Sequence, residues 1–138
     1  MIAMMTRVVC VLIAAGYMAG VLYFSWTPAT AHTGSDTEVL VKRWLVNLLH
    51  TPVYAGMMMA WYAAIRPAWE WNRKSATGAV IIAIAIGTIA ELGQLRVQGR
   101  YPDWTDGMLN FAGACLGAWA VYYMTERWEF AKRVMERS

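Results

Sequence analysis

The sequence predicts an all-α protein built as a four-helix transmembrane bundle, and three observations lead there. Hydrophobic residues make up 59% of the 138 residues and charged residues only 15%, too apolar a balance for an ordinary soluble domain of this size. Four apolar runs, at about 8–24, 45–65, 77–95 and 106–124, each approach the ~20 residues that a helix rising about 1.5 Å per residue needs to cross the hydrocarbon core. The runs are rich in Ala and Met and lack period-two alternation, which argues against strands. At this length, residues 1–138 read as a single integral membrane domain.

Helix 1 needs a decision. Arg7, the apolar run 8–24 and then Ala29-Thr30-Ala31 resemble a signal peptide with its cleavage site. The run is 17 residues, longer than a usual signal core, so a retained first transmembrane helix is expected, ending near Trp26 and Pro28. The connector that follows, 25–44, contains Ser35-Asp36-Thr37-Glu38, a capping-box pattern, and predicts a short interfacial helix before helix 2. Helix 2 is interrupted by His50 and Pro52. Residues 66–76 carry Arg66, Pro67, Trp69, Trp71, Arg73 and Lys74 and read as an interfacial loop with aromatic anchors. Helix 3 contains a stretch, 79–90, without charge, and then 96–105 form a polar hairpin with Gly99 and Pro102 as breakers. After helix 4, opposite charges at i,i+3 and i,i+4 from Thr125 onward predict a helical cytoplasmic tail.

Charge placement sets orientation. In a four-span chain, Arg7, Arg66, Arg73, Lys74, Arg127, Lys132, Arg133 and Arg137 share one side, while Lys42, Arg43, Arg96 and Arg100 share the other. Eight basic residues against four places both termini in the cytoplasm of an inner-type membrane. The net charge of +3 is too small to suggest nucleic acid. Cys10 and Cys115 lie inside apolar runs without Cys or His neighbours, so they read as small hydrophobes. One His and two carboxylates, His50, Glu91 and Asp106, could hold a divalent metal, but no metal-ligand spacing and no cofactor motif is present and Met57-Met58-Met59 read as apolar filler, so neither metal nor cofactor is expected.

Polar side chains are expensive in a bilayer, so they mark the candidate site. Helix 3 carries Glu91 and Gln94 on one face, above the small residues Gly87, Ala83 and Ala79. Helix 4 carries Asp106 and Asn110, and the same stripe continues through Gly113 and Gly117. That Gly-x-x-x-Gly, like Gly16 and Gly20 of helix 1, suits close helix packing. Helix 2 adds Asn47 and His50, with Pro52 leaving a backbone carbonyl without its usual donor one turn back. The span order gathers Asn47, His50, Glu91, Gln94, Arg100, Asp106 and Asn110 at the outer surface.

The spacing Glu91-x-x-Gln94, Gly99-Arg100 and Asp106-x-x-x-Asn110-x-x-Gly113-x-x-x-Gly117 resembles the signature of the VanZ-like family. The elements Ser25-x-x-Pro28 and Asn47-Leu48-x-His50-x-x-x-Tyr54 are similar to the family's earlier motifs, with Asn47 in place of an acidic residue and Leu48 in place of Lys. The resemblance covers residues 25–117 and implies a small multi-helix membrane protein. The family is named for a member associated with teicoplanin resistance.

Two functions fit these residues. In one, Glu91, Asp106 and His50 supply acid and base for chemistry on an envelope amphiphile, with Arg100 binding phosphate or carboxylate. In the other, Glu91 pairs with Arg100, and Gln94, Asp106 and Asn110 satisfy backbone groups, so the cluster is a structural clamp. The protein would then be a non-enzymatic accessory subunit packed against a larger membrane complex. Asp103 reads as a solvated turn residue. Membrane lipids, and on the second reading other membrane subunits, are the expected partners.

Overall fold

Three of the four prolines, Pro28, Pro67 and Pro102, fall within three residues of a helix end, where the missing N–H does least harm. The computed structural model describes the backbone at residues 2–28, 36–66, 70–98 and 103–136, and the side chains there except at 2, 3, 36–44 and 46. Among these residues the chain forms four helices and no strand: α1 (Ile2–Ser25), α2 (Asp36–Ile65), α3 (Arg73–Gln94) and α4 (Trp104–Met135).

Two elements differ from expectation. The interfacial helix is not separate; it is the first part of α2, which runs unbroken for 30 residues and takes Pro52 in its interior. The tail likewise is the last part of α4, which runs for 32 residues. No Gly or Pro interrupts 36–51 or 118–135, so nothing stops either helix at the end of its apolar stretch. At about 1.5 Å per residue these helices reach roughly 45–48 Å, beyond a hydrocarbon core of ~30 Å. Ser35, half of the expected capping box, lies outside the described residues.

The other ends are capped locally. Asn72 is extended, and its side chain accepts a hydrogen bond from the Ser75 N–H at 2.9 Å, starting α3 four residues earlier than the apolar pattern alone indicates. Asp103 does the same for α4 by accepting from the Thr105 N–H at 2.9 Å. Lys132 and Arg133 in the last turn of α4 face the negative end of its dipole.

α2 is central and packs against all three other helices, while α1 touches α2 and α3 but, among the described residues, not α4. The core lies between α2, α3 and α4. Met57 and Met58 of α2 meet the alanine stripe Ala76, Ala79 and Ala83 of α3 and Ala114 and Val121 of α4. Tyr62 ties the α2–α3 connection: its hydroxyl donates to the Glu70 carbonyl at 2.5 Å and accepts from the Asn72 N–H at 3.0 Å. At the opposite end Trp26 donates from Nε1 to the Ala90 carbonyl at 3.2 Å, holding the end of α1 on α3. Outward, the bundle presents large apolar side chains such as Leu12, Ile13, Ile81, Phe111 and Trp119. Two segments, Met4–Ser25 and Arg73–Gln94, are long and apolar enough to cross a bilayer.

The widest interface joins α2 and α4. A methyl group added at Gly113 would run into the Thr51 carbonyl, and one at Gly117 would lie 2.6 Å from the Ala55 carbonyl. Backbone cannot move aside as a side-chain tip can, so only glycine fits at these two places. Gly16 and Gly20, expected to pack in the same way, have nothing within 4 Å.

Substituting Gly113→Val is therefore expected to destabilise the bundle by about 1–3 kcal/mol or more, the usual cost of overpacking. Gly107→Ala, at a position with open space around it, is expected to be neutral or slightly stabilising. Thermal unfolding in one detergent checks both, and equal melting temperatures for the two variants would contradict the assigned contact.

Candidate functional site

The glycine crossing decides where the polar residues meet. Asn110 lies three residues before Gly113, and His50 lies one before Thr51. Seating Gly113 on Thr51 puts Asn110 Oδ1 2.9 Å from His50 Nδ1. Where the Asn110 oxygen accepts, Nδ1 is the donor, and in the neutral ring Nε2 then keeps its lone pair. Helix α3 closes in through Gly87, where an added methyl would lie 3.0 Å from both Asn110 Nδ2 and the Tyr54 ring. One turn beyond Gly87 on α3 is Glu91, and one turn before Asn110 on α4 is Asp106. The result is a group from three helices. His50, Glu91 and Asp106 each offer one atom to a set whose members all lie within 4.8 Å of one another.

Burial grades across the site. Asn110 and Tyr54 are each 3% exposed, whereas His50 and Glu91 are half-buried. Tyr54 lies one turn beyond His50 with its ring nearly parallel, the centroids 6.3 Å apart. Asn110 Nδ2 is buried and has no hydrogen-bond partner among the described residues. Glu91 turns to the outside: its Oε2 accepts from the Asp103 N–H at 3.4 Å.

That outer side is a groove of about 250 Å³ between α3 and α4. Ile84, Leu92, Trp104 and Phe111 form apolar walls, and Thr88, Glu91, Asp103 and Asn110 supply the polar groups. Glu91 and Asn110 belong both to this groove and to the inner cluster with His50.

A family model described as VanZ/LLP1 matches residues 8–125, most of the chain. The chain belongs to the VanZ/LLP1 family. The match covers all but the first six residues of α1, the whole of α2 and α3 and all but the last part of α4, so every described site residue lies within the VanZ/LLP1 region. Together with two helices of spanning length and composition, it makes this VanZ/LLP1 protein a membrane protein. No curated protein and no solved structure matches the chain.

The expected site residues separate into groups. His50, Glu91, Asp106 and Asn110 come together. Gln94 is buried on α3, one turn past Ala90, and Asn47 is half-buried one turn before His50 on α2. Arg100, with Gly99 and Pro102, lies outside the described residues. Gly87, Gly113 and Gly117 stand at close approaches, whereas Gly16 and Gly20 meet open space. Asp103 is exposed, but it is the α4 cap and a groove residue as well as a turn residue. Tyr54, quoted above only within the family-like motif, joins the site together with Thr88 and Trp104, which were not singled out. Tyr54 carried a signal, its i+4 spacing from His50; the other two carried none.

Chemically, an imidazole with a free Nε2 beside two carboxylates is an acid–base assembly. The same three groups, one nitrogen and two oxygen donors, are also a set that could hold a metal ion. Linear spacing could not reveal this, because each donor comes from a different helix.

The Nδ1–H tautomer of His50 is directly observable, since the sequence has only two histidines. Imidazole ¹⁵N spectra of a His32→Gln background should show Nδ1 as the protonated nitrogen of the neutral His50 ring. Asn110→Ala should mix the tautomers and lower stability by about 1–2 kcal/mol through the lost buried hydrogen bond. A dominant Nε2–H form in the unsubstituted site would contradict the assigned bond.

Proposed function

We propose that this VanZ/LLP1 protein binds an envelope amphiphile at the groove between α3 and α4, with the head group against Glu91 and Asn110. The observation that carries this reading is the groove's composition: apolar walls that continue the lipid-facing surface, closing on polar groups that connect inward to His50 and Asp106. A volume of about 250 Å³ is just under the ~300–1,000 Å³ of small-molecule sites. It therefore takes a head group and the first part of a chain, the remainder staying in the bilayer. Carboxylates and an amide favour a head group rich in hydroxyl or amine donors, as in a glycolipid or lipid-linked glycan. The His50, Glu91 and Asp106 assembly can then serve as acid and base for a change to that head group. Reduced susceptibility to glycopeptides such as teicoplanin is one phenotype such an activity would produce.

The topology in this proposal is four spans of an inner membrane with both termini cytoplasmic, so that the groove opens at the outer face. The basic residues flanking the helix ends support it. A second reading, an accessory subunit of a larger membrane complex, is favoured by one feature: the Gly16 and Gly20 stripe of α1 is open along its length.

Photolabelling with a diazirine alkyl glycoside in nanodiscs tests the binding site. The expected result is saturable labelling at Leu92, Trp104 or Phe111, competed by unlabelled amphiphile and reduced at least tenfold by Glu91→Gln with Asn110→Leu. Labelling that simply follows exposure, as strong at Leu12 as at Phe111 and not competed, defeats the proposal. For topology, a C-terminal green fluorescent fusion should fluoresce and a C-terminal alkaline phosphatase fusion should be inactive; the reverse pair would place the tail outside.

A further inference from the structure

We propose that His50, Glu91 and Asp106 hold a divalent transition-metal ion, with zinc the first candidate, leaving one coordination position open toward the α3–α4 groove. Three helices contribute one donor each, and the donor atoms all lie within 4.8 Å of one another. A tetrahedral zinc ion with bonds of about 2.0–2.2 Å spaces its ligands about 3.3–3.6 Å apart. Side-chain rotations suffice to bring the three donors onto one ion.

The surroundings match a metal site in three further respects. The ligand histidine of a metal site usually gives its second ring N–H to an oxygen that fixes the ring. Asn110 Oδ1 does this for His50 at Nδ1, which leaves the Nε2 lone pair for the ion. Two carboxylates in an apolar bundle need positive charge nearby. A divalent cation held by His50, Glu91 and Asp106 would balance both acids at once. Lastly, Asn110 is 3% exposed, lines the groove and has an Nδ2 without a partner among the described residues. A buried donor without a partner beside the three ligand residues is the kind of group that a bound ligand atom would satisfy.

The donor chemistry narrows the ion. One imidazole and two carboxylates without sulfur suit zinc, manganese or iron(II). Three protein ligands and an open position are the pattern of zinc sites that bind water or substrate, in contrast to closed structural sites. Such an ion would also change what the groove accepts. Two bare carboxylates repel a phosphate, whereas an ion at their focus attracts it. In this respect the proposal rests on the amphiphile reading and deepens it, extending the head-group class to phosphate-bearing lipids. The ion site itself is read without any lipid.

The test uses the full chain in detergent, stripped with chelator and titrated with Zn²⁺ alone. The expected result is one tight Zn²⁺ per chain and a raised melting temperature. Glu91→Gln and Asp106→Asn should each weaken binding at least tenfold, and Glu70→Gln should leave it unchanged. Zinc-edge X-ray absorption on the unsubstituted protein removes any dependence on how the variants fold. It should show nitrogen and oxygen ligands at about 2.0–2.2 Å and no sulfur. A sulfur shell from Cys10 or Cys115 overturns the assignment. So does the absence of stoichiometric binding, in which case a proton shared between the carboxylates balances the charge. Photolabelling of the groove by a neutral glycoside without zinc would persist if the ion proposal failed alone, and zinc would still bind if the amphiphile proposal failed alone.

Discussion

Gly113 and Gly117 bring the backbone of α4 onto the Thr51 and Ala55 carbonyls of α2. At so short a distance the two helices can neither slide nor rotate without collision, so their register is set to the residue. Register then propagates along both helices. Asn110 must face His50, Asp106 must stand one turn farther out, and Met57 and Met58 must enter the space that α3 fills with alanines. Gly87 repeats the device on a smaller scale by admitting Asn110 and Tyr54 against α3, and it thereby brings Glu91 to the same focus.

A cluster held in this way differs from polar residues that merely satisfy one another. Among the described hydrogen bonds at the cluster, one runs from His50 Nδ1 to Asn110 Oδ1 and one from the Asp103 N–H to Glu91 Oε2. Asn110 Nδ2 still has a donor to give, in a place where burial makes an unused donor costly. The groove lies beside it on the outer side of the bundle, between Trp104 and Phe111 on α4 and Ile84 and Leu92 on α3. The rest of the outer surface needs only to be apolar. On α1 a methyl group added at Gly16 or Gly20 would meet nothing within 4 Å among the described residues.

Much of this was legible in the residues. Apolar run lengths located four helices, and the spacing of Glu91, Asp106, Asn110, Gly113 and Gly117 picked out faces of α3 and α4 that lie toward neighbouring helices. Helix ends were less legible. Where α2 begins and α4 stops depends on the absence of breakers at 36–51 and 118–135, whereas hydropathy marks only the stretch that suits hydrocarbon. The caps Asn72 and Asp103 are single side chains acting on single N–H groups, too local for an apolar count to register.

By itself the sequence determined the helical class, the apolar surface and the identity of most groups at the site, because composition and helical periodicity are local properties of the chain. The tertiary structure alone decided which small-residue stripe is used. Gly16 and Gly20 have the same spacing as Gly113 and Gly117, and only the latter pair meets a neighbouring backbone. It also decided that His50, Glu91 and Asp106 share one focus. Those residues are 41 and 15 positions apart along the chain, and such distances carry no information until three helices have packed in a particular register.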